Sequence, residues 1–204
     1  MTAVVGLLLA AGASTRMGQP KLELSWPGRN ETVGARCLRL LQSAVSQPLV
    51  VVRPGQSQAW LHSISGLEES GYQILPCADA AEGMSASLRT GTAAATAMGA
   101  DAVLVMLGDQ PFVTVDLLAS LISRFGDGSE LDWVAATDGD GPKPPIILSK
   151  RLFQRIEALR GDEGARRILR QPSLKGELIQ ADPICFFDID THEQWAEAIK
   201  LYIK

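Results

Sequence analysis

Two cations and three carboxylates stand out in this chain because of the residues around them. Leu9 to Lys21 reads LAAGASTRMGQPK. After Leu9, through Ala10, Ala11, Gly12, Ala13 and Ser14, the backbone has little side-chain bulk on its way past a strand end. It can approach a ligand closely and converge several N–H groups on phosphate oxygens. Arg16 and Lys21 then supply two positive charges. The spacing matches neither GxGxxG nor the Walker pattern, which needs Gly-Lys followed by Ser or Thr. The bland alternative is a loop turned by Gly12 and Gly18, with both cations solvated. In VLVMLGDQPF, Val103 to Phe112, Asp109 stands just past the carboxyl end of an apolar run, where open α/β sheets bind ligands. A carboxylate there suits Mg²⁺, which takes one or two carboxylates together with substrate phosphates; a turn or cap role is the alternative. In FDIDTHE, Phe187 to Glu193, strand alternation would place Asp188 and Asp190 on one face, with Asp190 completing the metal site. Either aspartate is also a candidate cap for the helix after Thr191.

Two further stretches look purposeful. EGMSASLRTG puts Gly83 and Ser87 at a helix start, whose free N–H groups would face a nucleotide. LRGDEGARRILR carries Gly161, Asp162, Gly164, Arg166 and Arg167, or is simply a solvated helix start capped by Asp162.

Positioning such groups takes a scaffold. Val4 to Leu9, Leu49 to Val52, Ala102 to Leu107 and Trp133 to Ala136 are short apolar runs, with Pro145 to Leu148 weaker, and most are separated by segments of helical length. That alternation predicts parallel strands with crossover helices. Helices are predicted over Thr32 to Ser43, over Ser85 to Met98 ending at Gly99, and from Thr114 as N-cap to a stop at Gly126. Asp138 to Pro145 (DGDGPKPP) reads as a loop, followed by two short helices over Ser149 to Leu159 and Asp162 to Leu169. Glu177 to Ile179 with Ile184 to Phe187 suggests a late ribbon before a closing helix from Thr191 to Tyr202. The expectation is a single-domain Rossmann-like α/β fold over 1–204, three-layer α/β/α with a mostly parallel sheet, and residues 139–181 as a flap.

Composition sets outer limits. At 204 residues, 46% hydrophobic and 21% charged, the chain has the make-up of a folded domain. Its 19 basic and 23 acidic residues give a net charge of −4, so no overall basic field draws nucleic acid or anionic membrane, and phosphate must be held locally. Cys37, Cys77 and Cys185 are far apart with no CxxC, which argues against zinc and fits a reducing compartment. The N-terminal apolar run is short and has no basic segment before it, so a soluble, cytoplasmic protein is expected.

LAAGASTRMGQPK, GMSASLRTG, LGDQPF, GDEGAR and DIDT, in that order and over nearly the whole chain, resemble the small nucleotidyltransferases that activate molybdopterin, in the cytidylyltransferase branch. They also resemble accessory proteins of purine catabolism and molybdoenzyme maturation. The resemblance implies a sheet that binds CTP and Mg²⁺, with the phosphate of molybdopterin or molybdenum cofactor attacking the α-phosphorus and pyrophosphate leaving. The client would be a xanthine-dehydrogenase-type enzyme. It assigns triphosphate contact to residues 9–14, Arg16 and Lys21, and metal to Asp109 and Asp190. Ala11 stands where the guanylyl branch tends to carry glycine, which implies CTP over GTP, helped by backbone hydrogen bonds from Leu9 and Ala11 to the base. The chain departs from the family pattern at residues 77–81, where Asp79 is a substitute contact, and at Glu23. A cofactor-carrying maturation chaperone, or a nucleotidyltransferase with another phosphorylated acceptor, shares these features.

Overall fold

Val4–Ala10 (β1) has apolar neighbours on both edges. In the computed structural model, which describes residues 2–62, 71–128, 130–161 and 164–203, it pairs in parallel with Leu49–Val52 (β2) and with Ala102–Leu107 (β4). Gln73–Pro76 (β3) extends this side of the sheet. Trp133–Thr137 (β5), Lys143–Ser149 (β6) and Gly176–Gln180 (β7) complete it, in the order β3-β2-β1-β4-β6-β5-β7. Period-two alternation then sorts side chains to two faces. Leu8, Val50, Leu104 and Ile147 pack with Leu38 and Leu41 of Val33–Ala44 (α1) and with Leu118 and Leu121 of Val115–Asp127 (α3). Leu7, Leu49, Val103 and Leu148 pack with Leu88 of Met84–Ala97 (α2) and with Phe153 and Ile156 of Phe153–Glu157 (α4). The three-layer, mostly parallel α/β fold read from the sequence is the fold observed.

Several local expectations are corrected. β6 runs antiparallel to both β4 and β5, because the few residues joining β5 to β6 can make a hairpin and not a crossover. The loop expected over 138–145 therefore ends at Lys143. Pro144 and Pro145 of β6 are accommodated where the β5–β6 register shifts between Ala135 and Ala136. Within the segment expected as a flap over 139–181, Lys143–Ser149 and Gly176–Gln180 are strands of the sheet itself, so these parts are not laid over it. The late ribbon does not form. β7 pairs in parallel with β5, while Pro183–Phe186 is a 3₁₀ turn capped by Asp182, whose Oδ1 accepts from the Ile184 N–H at 3.0 Å. α3 runs one residue past Gly126 and closes at Gly128. The helix expected over 149–159 splits into a 3₁₀ turn and α4, and the next is only Arg166–Leu169 (α5); Asp162 lies outside the described residues. Thr114 caps α3 as expected, and Thr32, read as the first helical residue, is the cap of α1.

The closing helix His192–Ile203 (α6) is fastened by aromatic packing. Trp26, 1% exposed, stacks on Tyr202 at 4.3 Å between centroids and meets Trp195 at 4.9 Å and Phe112 edge-on at 6.0 Å. Arg29 and Arg36 lie over the Tyr202 ring at 5.5 and 5.0 Å. The cluster fixes residues 187–190 beside the end of β4, where Ile189 N–H donates to the Asp109 carbonyl at 3.2 Å. Trp26→Ala is expected to cost about 3–5 kcal/mol in a urea titration, with Trp26→Phe costing less. A Trp26→Ala protein as stable as wild type would show that these rings do not hold α6.

Candidate functional site

β1 has β2 on one side and β4 on the other, and the chain reaches them in opposite directions across the sheet. Such a switch point leaves a crevice at the carboxyl ends of the strands. A cavity of about 530 Å³ lies there, within the usual range for small-molecule sites. Gly108 eases a close approach there: a Cβ would stand 3.3 Å from the Leu9 carbonyl, a tight contact, and that carbonyl already accepts from Gly108 N–H at 3.0 Å.

The loop after β1 is tied at both ends. Ser14 adopts φ +52°, its carbonyl accepts from Met17 N–H at 3.1 Å, and its Oγ accepts from Lys21 N–H at 3.3 Å. Met17 is buried in the aromatic cluster. Lys21 is thereby aimed across the crevice, where its ammonium contacts the Asp109 carboxylate and lies 2.7 Å from Asp190 Oδ1. Arg16, 70% exposed, reaches Asp190 Oδ2 at 2.8 Å. Asp190 is held in turn by the start of α6: Gln194 Oε1 accepts from the N–H groups of Asp190 and Thr191, while Thr191 Oγ1 accepts from Gln194 N–H. That reciprocal pair is a capping box.

Burial alone would lower the Lys21 pKa, but the Asp109 and Asp190 carboxylates outweigh it and hold the ammonium above its ordinary value. Burial pushes Asp190 up, and Lys21 and Arg16 together bring it below the usual carboxylate range. Asp188 goes the other way: burial, then the Asp109 charge, raise it to about 6, although Gln110 donates to it at 2.9 Å.

Of the residues singled out in the sequence, Leu9, Ala10, Ala11, Gly12, Ala13, Arg16, Lys21, Gly83, Ser87, Asp109 and Asp190 all line this cavity. Ser14 does not; it shapes the loop from behind. Asp79 is exposed and stands off the cavity wall, before the 3₁₀ turn Ala80–Glu82. Asp188 does line it, from a segment that is not a strand, so the alternation argument for its placement fails while the side chain still arrives. Arg53 was missed. From just beyond β2 its Nε donates to the Ala11 carbonyl at 3.2 Å and its Nη2 to the Ala80 carbonyl at 3.1 Å, joining the two lips of the cavity. Its signal was the same as that of Asp109, a charged residue just past a buried strand. Of the backbone groups of Leu9 and Ala11 expected to bond a base, both carbonyls already accept one bond from the protein.

Among the described residues, no three His, Cys, Asp or Glu side chains stand in metal-ligating geometry. Asp109 and Asp190 still fit an ion that takes one or two carboxylates and completes its shell with phosphates and water.

The sheet, its switch-point cavity and the cation–carboxylate cluster define an α/β nucleotidyltransferase fold. The chain belongs to the family described as the MobA-like NTP transferase domain, whose model matches residues 6–177. It is 34% identical to the purine catabolism protein PucB of Bacillus subtilis, with 94% of each chain covered. It is 32% identical to nicotine blue oxidoreductase of Paenarthrobacter nicotinovorans, again over 94% of each. Against the molybdenum cofactor cytidylyltransferase of Escherichia coli it is 27% identical, over 99% of this chain and 98% of that one. Among solved structures, Rv0371c of Mycobacterium tuberculosis superposes with a TM-score of 0.78 at 25% identity, covering 98% of this chain and 99% of that one. No helix among the described residues is long and apolar enough to cross a membrane.

The raised Asp188 value carries a sign. A folded-state pKa above the unfolded one stabilises at low pH, and that contribution is lost as pH rises through about 6. Asp188→Asn, which keeps an acceptor for Gln110, is expected to be more stable than wild type by about 1–2 kcal/mol at pH 7.5 after allowing for partial exposure, and no more stable at pH 4. Melting curves at the two pH values check this. A variant less stable at pH 7.5 would show that the charged form is welcome there.

Proposed function

We propose that this protein is a cytidylyltransferase that moves CMP from CTP to the phosphate of molybdopterin or molybdenum cofactor and releases pyrophosphate. One observation carries the reading: Lys21, Asp109 and Asp190, far apart in sequence, meet on the wall of a cavity that residues 9–13 also line. An acceptor phosphate oxygen forms the new bond to the α-phosphorus as the bond to the bridging oxygen breaks, and the electron pair leaves with pyrophosphate. Such a step asks the protein for in-line positioning and charge neutralisation more than for covalent help.

The N–H groups of the loop after β1 are offered to the triphosphate. The exposed guanidinium of Arg16 is free to swing from Asp190 to the leaving phosphates, where a planar fork binds two oxygens. Lys21, already held in the cavity, follows the negative charge that grows as pyrophosphate departs. Asp109 and Asp190 would hold Mg²⁺, which when bound neutralises triphosphate charge. Ala11 narrows the space for a base; one methyl is worth about 1–3 kcal/mol, so it favours a pyrimidine without excluding a purine. The likeness to a purine catabolism protein supports a xanthine-dehydrogenase-type client, and a cytoplasmic setting follows from that reading.

The test is pyrophosphate release from each of the four nucleoside triphosphates with Mg²⁺ and molybdenum cofactor. CTP is expected to give the highest specificity constant, and Asp109→Asn and Asp190→Asn each to lower turnover at least ~100-fold with the fold intact. Equal constants for CTP and GTP would remove the cytidylyl assignment, and an active double variant would remove the site.

A further inference from the structure

The small-residue loop at the cavity is most pliable at Gly12, which has no Cβ to restrict its backbone angles. The two peptide groups that flank this glycine are both held from outside the loop. Arg53 Nε donates to the Ala11 carbonyl at 3.2 Å, and Gln56 Nε2 donates to the Gly12 carbonyl at 3.3 Å. Both side chains come from one turn. In Arg53-Pro54-Gly55-Gln56, just past β2, the Gln56 N–H donates to the Arg53 carbonyl at 3.4 Å and Gly55 takes φ +75°. Proline followed by a glycine at positive φ is the signature of a type II turn, which brings its first and last residues side by side. Arg53 is anchored a second time on the Ala80 carbonyl, to which Nη2 donates at 3.1 Å, so its planar guanidinium is fixed at two points.

A trans peptide group is planar, and its C=O and N–H point opposite ways. Holding the Ala11 carbonyl therefore sets the direction of the Gly12 N–H, and holding the Gly12 carbonyl sets that of the Ala13 N–H. Gly12 and Ala13 line the cavity, whereas Gln56 does not, and among the described residues neither N–H has a protein partner. Were either peptide to flip, an oxygen would face the phosphates where a donor is needed. Resting on the triphosphate site of the transfer reading above, we infer that Arg53 and Gln56 are positioning residues for the nucleotide. They hold two loop carbonyls toward the turn, so that the Gly12 and Ala13 N–H groups face the phosphates. Their contribution is to phosphate affinity, through the backbone and not by contact with the ligand.

The probes are CTP and inorganic tripolyphosphate, titrated calorimetrically with Mg²⁺ and without acceptor into wild type, Arg53→Lys and Gln56→Ala, with cytidine followed by ligand-observed NMR. Lysine keeps the charge of Arg53 but cannot hold two carbonyls with one fixed plane. Each variant is expected to bind CTP and tripolyphosphate about 5- to 10-fold more weakly than wild type and cytidine within about 2-fold of it. In turnover the CTP KM should rise by the same factor while the acceptor KM stays put. Wild-type tripolyphosphate affinity in Arg53→Lys would overturn the inference, because charge alone would then be at work. Equal weakening of cytidine and tripolyphosphate would overturn it too, as the mark of a cavity merely loosened. Should Arg53- and Gln56-dependent tripolyphosphate binding occur without pyrophosphate release from CTP and molybdenum cofactor, the transfer reading fails and this one stands; should turnover occur with a CTP KM indifferent to both variants, the reverse holds.

Discussion

A single ammonium lets two carboxylates face one another at the carboxyl edge of this sheet. Asp109 leaves the end of β4, Asp190 arrives just before α6, and Lys21 lies between them with a side chain 12% exposed. Without that charge, two largely buried carboxylates would repel in a low-dielectric setting, and one would take up a proton. Asp188 shows what such a place does to a carboxylate without an ammonium on it: burial and the Asp109 charge raise its pKa to about 6.

The rest of the fold serves that meeting. The winding of the sheet brings the loop after β1 and the end of β4 side by side, and Gly108 allows their backbones to touch. Ser14 turns the loop so that Lys21 points inward. The third participant comes from the far end of the chain, and its placement depends on Trp26, whose rings of contact hold α6 against the segment that follows Lys21. The aromatic cluster and the polar cluster are successive links of one arrangement, since Met17 and Ile189 belong to the first while Lys21 and Asp190 belong to the second.

Much of this was legible in the sequence where local pattern and tertiary environment agree. Continuous apolar runs gave β1, β2 and β4 because strands buried on both faces have no polar side to show, and Thr114 announced its helix. β3 was not legible, since QILP is largely exposed at the sheet edge and carries no burial pattern. β6 was read only from Pro145 and as one of the parallel strands, because its prolines, absorbed by a register shift, disguise its first residues. At the site, the small-residue loop, Lys21, Asp109 and Asp190 could be found because each sits at a strand end or helix start. Asp79 could not be rejected, nor Arg53 recognised, because which side of a turn faces a cavity is decided by packing that no spacing encodes.

The most direct measurement is a double-mutant cycle on folding stability at pH 7.5 between Lys21→Met and Asp190→Asn, repeated with Asp109→Asn, in urea and without ligand. If Lys21 is the charge that holds the carboxylates together, Lys21→Met alone should cost about 3–5 kcal/mol, and adding either Asp→Asn change should recover part of it, for a coupling of about 1–3 kcal/mol. Strictly additive effects, within about 0.5 kcal/mol, would mean that the ammonium and the carboxylates stand near each other without depending on each other, contrary to the central claim.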